Sequence, residues 1–156
     1  EDAMVLDVFA GTGANGLECL SRRARSCDFV ENSRAAQICI KENVQEFLRR
    51  CVAQRLEAPR TEALVEEANN LAALLPRLNR QFDIVWVDPP YAQARAWFSA
   101  KNLGALAQHC PMGAVLVFEC DRADASAVTG TVVSGWHLNK EKTYGDTSVT
   151  IWVRET

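Results

Sequence analysis

The chain of 156 residues carries 17 Lys and Arg against 20 Asp and Glu, so its formal net charge is −3. Its hydrophobic fraction of 48% is typical of a soluble globular protein, and one domain over residues 1–156 is predicted. The acidic balance excludes bulk attraction as the main source of nucleic-acid binding. Apolar runs are strand-sized and interrupted by charge, which favours a cytoplasmic protein with no membrane span.

The six cysteines and two histidines lack the spacings of a metal site. No two cysteines form a C-x-x-C pair, and most of them lie within apolar patterns. Reduced, buried thiols are therefore predicted in preference to zinc ligands or a disulfide framework. His109 and His137 stand apart from each other and from the cysteines, so no metal is predicted.

The first half of the chain alternates strand and helix patterns. Residues 4–9 form an apolar run that ends in a glycine turn, and residues 14–20 then predict a helix. A second strand ends at Glu31. From residue 36 to 51 apolar positions recur at helical spacing, with charged residues on the opposite face. Residues 63–65 are a weaker strand prediction.

The second half begins with a short helix over residues 71–75, which is expected to stop near Pro76. A buried strand over 82–87, a helix over 94–108 and a buried strand over 114–118 follow.

Three further strands are then predicted, over 132–133, 136–140 and 149–153. No helix fits between the last two, so they should pair as a hairpin around residues 144–146. The order of elements predicts an α/β fold with a mostly parallel sheet covered on both faces and one antiparallel strand.

Acidic residues lie at or near the ends of four predicted strands: Asp7, Glu31, Glu67 and Asp88. Ligands of such sheets bind beyond the carboxyl ends of the strands, near the point where the strand order reverses. We therefore expect these four carboxylates to converge on one crevice.

The loop after the first strand, residues 11–16, matches the pattern G-x-G-x-x-G, and Glu31 follows Gly11 by 20 positions. This spacing is typical of dinucleotide sites, but glycines in a strand-to-helix turn suit any ligand that approaches the backbone closely. Asp7 favours a ligand with a cationic group over a pyrophosphate, because two negative charges side by side would repel. S-adenosylmethionine fits this requirement, with its ammonium near Asp7, its ribose at Glu31 and its adenine near Glu67 and Ala68.

The segment Asp88-Pro89-Pro90-Tyr91 ends the predicted strand over 82–87. Two prolines cannot donate ladder hydrogen bonds, so the strand must stop and present a carboxylate, a carbonyl and an aromatic ring together. Two acceptors can hold an exocyclic amine while the ring stacks on the base that carries it. The motif thus predicts a site that binds a planar amine.

These motifs together make the chain resemble the class I S-adenosylmethionine-dependent methyltransferases. More narrowly, it is similar to the RsmD-type family, which methylates the N2 amine of a guanine in 16S ribosomal RNA. The resemblance covers nearly all of residues 4–153 and rests on the segments 7–13, 29–31, 88–91, 117–119 and 142–147, together with Asn43.

The resemblance implies a Rossmann-like three-layer sandwich, with a seven-stranded, mostly parallel sheet whose last strand is antiparallel. It also implies S-adenosylmethionine as cofactor and 16S ribosomal RNA or the small ribosomal subunit as partner; a monomer is expected. Members carry a segment with an Arg-Pro element before the first strand, and that segment is expected to be missing here. The expected catalytic residues are Asp88, Pro89, Pro90 and Tyr91, and the expected cofactor-binding residues are Asp7, Phe9, Ala10, Gly11, Thr12, Gly13, Glu31, Asn32, Glu67, Ala68 and Asp88.

The expected reaction is a direct in-line transfer of the sulfonium methyl to the amine, without a covalent enzyme intermediate. A cysteine-dependent methylation of a base carbon is disfavoured, because Tyr91 follows Pro90 and no cysteine lies nearby. The alternatives that stay open are an amine methyltransferase acting on DNA adenine or on a protein glutamine, a non-catalytic domain with this fold, and a nicotinamide-dependent oxidoreductase.

Overall fold

The computed structural model describes residues 1–155, which divide into two compact units, Glu1–Ala68 and the part of the chain from Asn69 onward. Both units combine strands with helices, as the sequence pattern predicts. The prediction of a single domain stays a prediction. Within the described residues, no helix is both long and apolar enough to cross a membrane.

The first unit contains three parallel strands, β1 (Met4–Val8), β2 (Ser26–Glu31) and β3 (Arg60–Val65), and two connecting helices, α1 (Ala14–Ser21) and α2 (Arg34–Ala53). The strands lie in the order β3-β2-β1. The register pairs Val8 of β1 with Val30 of β2, and Val30 with Leu64 of β3, so the carboxyl ends of the strands are level. Residues at these ends consequently come close together.

The long helix α2 confirms the helical pattern over residues 36–51. The Ser33 hydroxyl accepts a hydrogen bond from the backbone N–H of Ala36 (3.4 Å) and so caps the first turn. Ile40 and Cys51 on one face of α2 are buried, while charged residues occupy the exposed face.

The second unit contains four strands, β4 (Ile84–Val87), β5 (Val115–Asp121), β6 (Trp136–Tyr144) and β7 (Thr147–Arg154). They lie in the order β4-β5-β7-β6. Strands β4 and β5 are parallel, whereas β7 is antiparallel to both β5 and β6. The helices are α3 (Leu71–Leu78), α4 (Tyr91–Trp97), α5 (Ala100–Gln108) and α6 (Ala125–Thr129), with 3-10 turns at Ala68–Asn70 and Arg122–Asp124.

The predicted hairpin is confirmed. Tyr144 pairs with Thr147, so β6 and β7 are joined by the two residues Gly145 and Asp146. Gly145 has φ +59°, a conformation that glycine adopts without a steric penalty.

The prediction of one helix over 94–108 is wrong, because the chain leaves the helical conformation at Phe98 and Ser99. Trp97 and Phe98 are both buried, and the ring centroids of both lie near that of Phe118, at 5.9 and 4.8 Å. Adjacent residues of one helix point about 100° apart, so both rings reach the same partner only if the helix ends. Core packing decides this break.

Three smaller predictions also differ from the structure. Helix α3 continues through Pro76 to Leu78, since one missing N–H near a helix end removes a single hydrogen bond. Residues 132–133 are not a strand; Val132 is 97% exposed, and α6 with its 3-10 turn precedes it instead. Strand β5 extends to Asp121, which places Glu119 within a strand.

Candidate active site

The glycine loop of the first unit turns the chain sharply between β1 and α1. Phe9, Gly11 and Gly13 have φ values of +61°, +54° and +81°, and the Gly13 N–H donates to the Ala10 carbonyl (2.7 Å). A positive φ is costly for Phe9, and such strain tends to occur at functional sites. A Cβ at Gly11 would meet no atom within 4 Å, so the space beside this backbone is open to a ligand.

Asp7 lies in β1 with no exposed surface, and its Oδ2 accepts a hydrogen bond from the Gly16 N–H (2.8 Å). Gly16 is the third residue of α1, whose N-cap residue, Gly13, has no side chain to cap the helix. Asp7 therefore supplies from the neighbouring strand the cap that Gly13 lacks. Its contact with a methionyl ammonium stays a prediction.

Gly16, the last glycine of the pattern, allows α1 to pack closely on β2. A Cβ at this position would lie 2.4 Å from Phe29 Cε1 and 2.5 Å from Cys27 Sγ, two side chains that are fully buried. The pattern G-x-G-x-x-G thus has two physical functions here: space for a ligand at Gly11 and close packing at Gly16.

Glu31, at the end of β2, is held at both carboxylate oxygens. Oε2 accepts the N–H of Gly11 (2.9 Å), and Oε1 accepts the N–H of Ser33 (2.8 Å). Each carboxylate oxygen keeps a second lone pair, so the group can still accept bonds from hydroxyls. The half-buried Glu31 beside the open loop fits the vicinal hydroxyls of a ribose.

The loops after β2 and β3 are joined by a hydrogen bond from Asn32 Nδ2 to Glu67 Oε1 (2.8 Å). Ala68, the next residue, is buried. Asn43 of α2 donates to the carbonyl of Thr12 (3.0 Å), which ties α2 to the glycine loop. The expected cofactor residues of the first unit therefore surround the carboxyl ends of its strands.

The Asp88-Pro89-Pro90-Tyr91 segment lies in the second unit, between β4 and α4. Asp88 and Tyr91 are exposed, Pro89 is buried, and Pro90 occupies the position just before the helix that begins at Tyr91. The Tyr91 hydroxyl makes a 2.7 Å hydrogen bond with the Thr147 hydroxyl at the start of β7. Because its far end is held in this way, the Tyr91 ring has a defined position while half of its surface stays available.

A second carboxylate accompanies Asp88. The indole N–H of Trp86 donates to Glu119 Oε1 (3.1 Å), and burial together with the negative charge of Asp88 raises the pKa of Glu119. The pKa of Asp88 is also raised, because its carboxyl group is partly enclosed although the residue as a whole is exposed. Glu119 and Thr147 have no function predicted from the sequence, although both lie in segments that carry the family resemblance.

The four buried cysteines do not present a reactive thiol in this structure. All six are free, and Cys27, Cys51, Cys110 and Cys120 are buried. Burial raises the pKa of Cys120 to about 11 and that of Cys110 to about 12, far from the range of a nucleophilic thiolate. Among residues 1–155, no group of three or more His, Cys, Asp or Glu side chains could hold a metal ion.

The model of the family described as Conserved hypothetical protein 95 matches residues 1–153. The chain belongs to this family. It is 29% identical to "Ribosomal RNA small subunit methyltransferase D" of Escherichia coli K12, over 99% of this chain and 70% of that protein. The protein of the same name from Buchnera aphidicola is 31% identical over 60% of this chain, and the match covers 43% of that protein's length.

A solved structure, "conserved hypothetical protein" of Streptococcus pyogenes, is 29% identical with a TM-score of 0.75, over 98% of this chain and 86% of that one. The resemblance to the RsmD-type methyltransferase family is confirmed by these matches. The Rossmann-like α/β methyltransferase fold is confirmed as well, and the methyltransferase names of the relatives support the prediction of S-adenosylmethionine as cofactor.

Proposed function

We propose that the protein transfers a methyl group from S-adenosylmethionine to the exocyclic N2 amine of a guanine in 16S ribosomal RNA. The relatives' shared name supports a ribosomal RNA methyltransferase. The choice of an amine depends on one observation: β4 stops at Val87 and leaves an exposed carboxylate, a proline carbonyl and an anchored aromatic ring in four consecutive residues.

The acceptors of the motif suit a poorly nucleophilic amine. The lone pair of guanine N2 is delocalised into the ring, which makes the nitrogen planar and weakly reactive. If Asp88 and the Pro89 carbonyl accept the two N–H bonds, they favour a pyramidal nitrogen and hold it in place for reaction. Asp88 need not be a strong base, because the amine becomes acidic once it carries the methyl group. Tyr91 stacks on the base after the nucleotide leaves its own stack.

The first unit provides residues suited to hold the methyl donor. Glu31 accepts the ribose hydroxyls, the backbone at Gly11 leaves room for the ligand, and Glu67 with Ala68 lies where the adenine is expected. Asp7, buried below the loop, contributes negative charge that attracts the methionyl ammonium. Bound S-adenosylmethionine supplies an electrophilic methyl group on a sulfonium.

The weak charge of the chain favours an assembled subunit over free RNA as the substrate. A net charge of −3 gives little bulk attraction to RNA, so an assembled small subunit, recognised partly through its proteins, is the proposed substrate. We also propose that the protein acts as a monomer in the cytoplasm.

The test is transfer of labelled methyl groups to small ribosomal subunits from cells that lack the gene. Nucleoside mass spectrometry should place the label on N2 of guanine. DNA and bulk protein, offered in parallel, should stay unlabelled. Label on adenine or glutamine would refute the proposal. It would also be refuted if NADH changed the intrinsic fluorescence of the protein while S-adenosylhomocysteine did not.

Asp88→Ala separates binding from transfer. The variant should bind S-adenosylhomocysteine with an affinity within about threefold of wild type in calorimetry. Its transfer rate should fall by at least about a hundredfold, the range for loss of one well-placed polar group in catalysis. Asp124→Ala, a matched change at a half-buried aspartate of the same unit, should retain full activity. Near wild-type transfer by Asp88→Ala would show that the motif does not act on the amine.

A further inference from the structure

The parallel pair β4 and β5 places Glu119 beside the motif carboxylate. Trp86 is in register with Val117, and Val87 with Phe118, so the next step along both chains puts Asp88 next to Glu119. Residues in register on neighbouring strands point to the same face of a sheet. The charge of Asp88 acts on the Glu119 carboxyl, which agrees with this placement.

Glu119 is oriented, and only one of its oxygens is engaged. The Trp86 indole donates to Oε1 at 3.1 Å. Within residues 1–155, no second donor reaches the Glu119 carboxylate, so Oε2 keeps its full capacity as an acceptor. The side chain is half-buried, as expected for a group at the edge of a site. Among the four strands of this unit, the register places three other charged residues on the same face: Asp121 on β5 and, beyond β7, Lys140 and Lys142 on β6.

Two neighbouring carboxylates form a row that only accepts hydrogen bonds. On its Watson–Crick edge guanine presents the N2 protons and, beside them, the N1–H, which are two adjacent donor groups; the acceptor O6 lies on the far side of N1. The matching edge of adenine presents an amine beside an unprotonated N1, whose lone pair would face a carboxylate. Two neighbouring carboxylates therefore attract the N1–H and N2–H donors of guanine and repel the unprotonated N1 of adenine.

We propose that Glu119 determines base specificity by accepting the N1–H of the target guanine, while Asp88 accepts an N2–H. This inference deepens the proposed function and rests on it. Closely spaced carboxylates that share a partly buried site repel each other, and the donors of guanine relieve that repulsion. The raised pKa values of both groups are consistent with such a site before its substrate arrives.

In a purely structural alternative, the only role of Glu119 is to accept the hydrogen bond from the indole N–H of Trp86. Glu119→Gln separates the two explanations, because the amide oxygen can still accept from Trp86 while an NH2 group replaces Oε2. Glu141→Gln is the matched control, since this glutamate lies on the exposed edge strand β6 and accepts from Ser148.

The experiment uses small subunits reconstituted with 16S RNA that carries either guanine or 2-aminopurine at the methylated position. 2-Aminopurine keeps the N2 amine but lacks both the N1–H and O6 of guanine, so the comparison of wild type with Glu119→Gln is what isolates the contribution of the N1–H. Wild type and Glu141→Gln should show a kcat/KM about 10- to 100-fold lower on 2-aminopurine, the range for one hydrogen bond to a charged group. In Glu119→Gln, the ratio of kcat/KM on guanine to kcat/KM on 2-aminopurine should be at least about tenfold smaller than in wild type.

Each outcome is decisive. Equal wild-type rates on the two bases would overturn the inference without any variant, even if Glu119→Gln failed to fold. A Glu119→Gln variant that loses activity equally on both bases would assign Glu119 to structure alone. Absence of label at any guanine N2 would overturn the proposed function, and the inference with it.

Discussion

Replacing Gly16 with alanine directly tests whether this glycine is required for the close packing of α1 on β2. The added Cβ would lie 2.4 Å from Phe29 Cε1, 2.5 Å from Cys27 Sγ and 3.0 Å from Asp7 Oδ2. All three side chains are fully buried in the first unit and have little room to move. Relief requires α1 to shift, which lengthens the hydrogen bond from the Gly16 N–H to Asp7.

The expected loss follows from two opposing effects. Overpacking of a core costs about 1–3 kcal/mol, and these short contacts correspond to the upper end of that range. Alanine regains about 1 kcal/mol of helix propensity, so the net loss is about 2 kcal/mol. For a protein of this size, that corresponds to a decrease in Tm of roughly 4–8 °C.

Gly104→Ala is the matched control, because it is the same substitution within helix α5. A Cβ at Gly104 would meet no atom within 4 Å, so only the propensity gain of about 0.5–1 kcal/mol remains. Calorimetric melting of the three proteins, with urea unfolding as a second measure, should therefore give opposite signs for the two variants. A Gly16→Ala protein as stable as Gly104→Ala would refute the packing explanation of the last loop glycine.

Two further predictions concern ionisation. Because the pKa of Asp88 is raised, the folded state binds its proton more tightly than the unfolded chain, and stability is lost as pH rises through that pKa. Asp88→Asn should therefore raise Tm at pH 7, with a difference that vanishes near pH 3, where the carboxyl is protonated in both states; a lower Tm at pH 7 would contradict this. Ellman's reagent should label at most Cys19 and Cys39 in the folded protein and all six cysteines in urea, since the other four are buried; rapid native labelling of Cys27 would contradict the structure.

Local chemistry explains the parts of the fold that were predictable from sequence. The glycine turn after β1, the stop at Pro89 and Pro90 and the hairpin at Gly145 each depend on the conformational limits of a single residue. The amphipathic pattern of α2 is likewise local. Packing between distant residues is not visible in this way, so the break between α4 and α5 was missed: Trp97 and Phe98 both contact Phe118, about twenty residues further along.

The features of the candidate site also fall into those that local sequence predicts and those that depend on tertiary packing. The sequence by itself determined that Asp88, Pro89 and Tyr91 end a strand together, and that Glu31 lies at a strand end after a glycine loop. Only the tertiary structure decided that Glu119 stands beside Asp88, that Thr147 anchors Tyr91, and that Asp7 caps α1. These pairings depend on strand register and on packing between separate elements, which no local pattern of residues encodes.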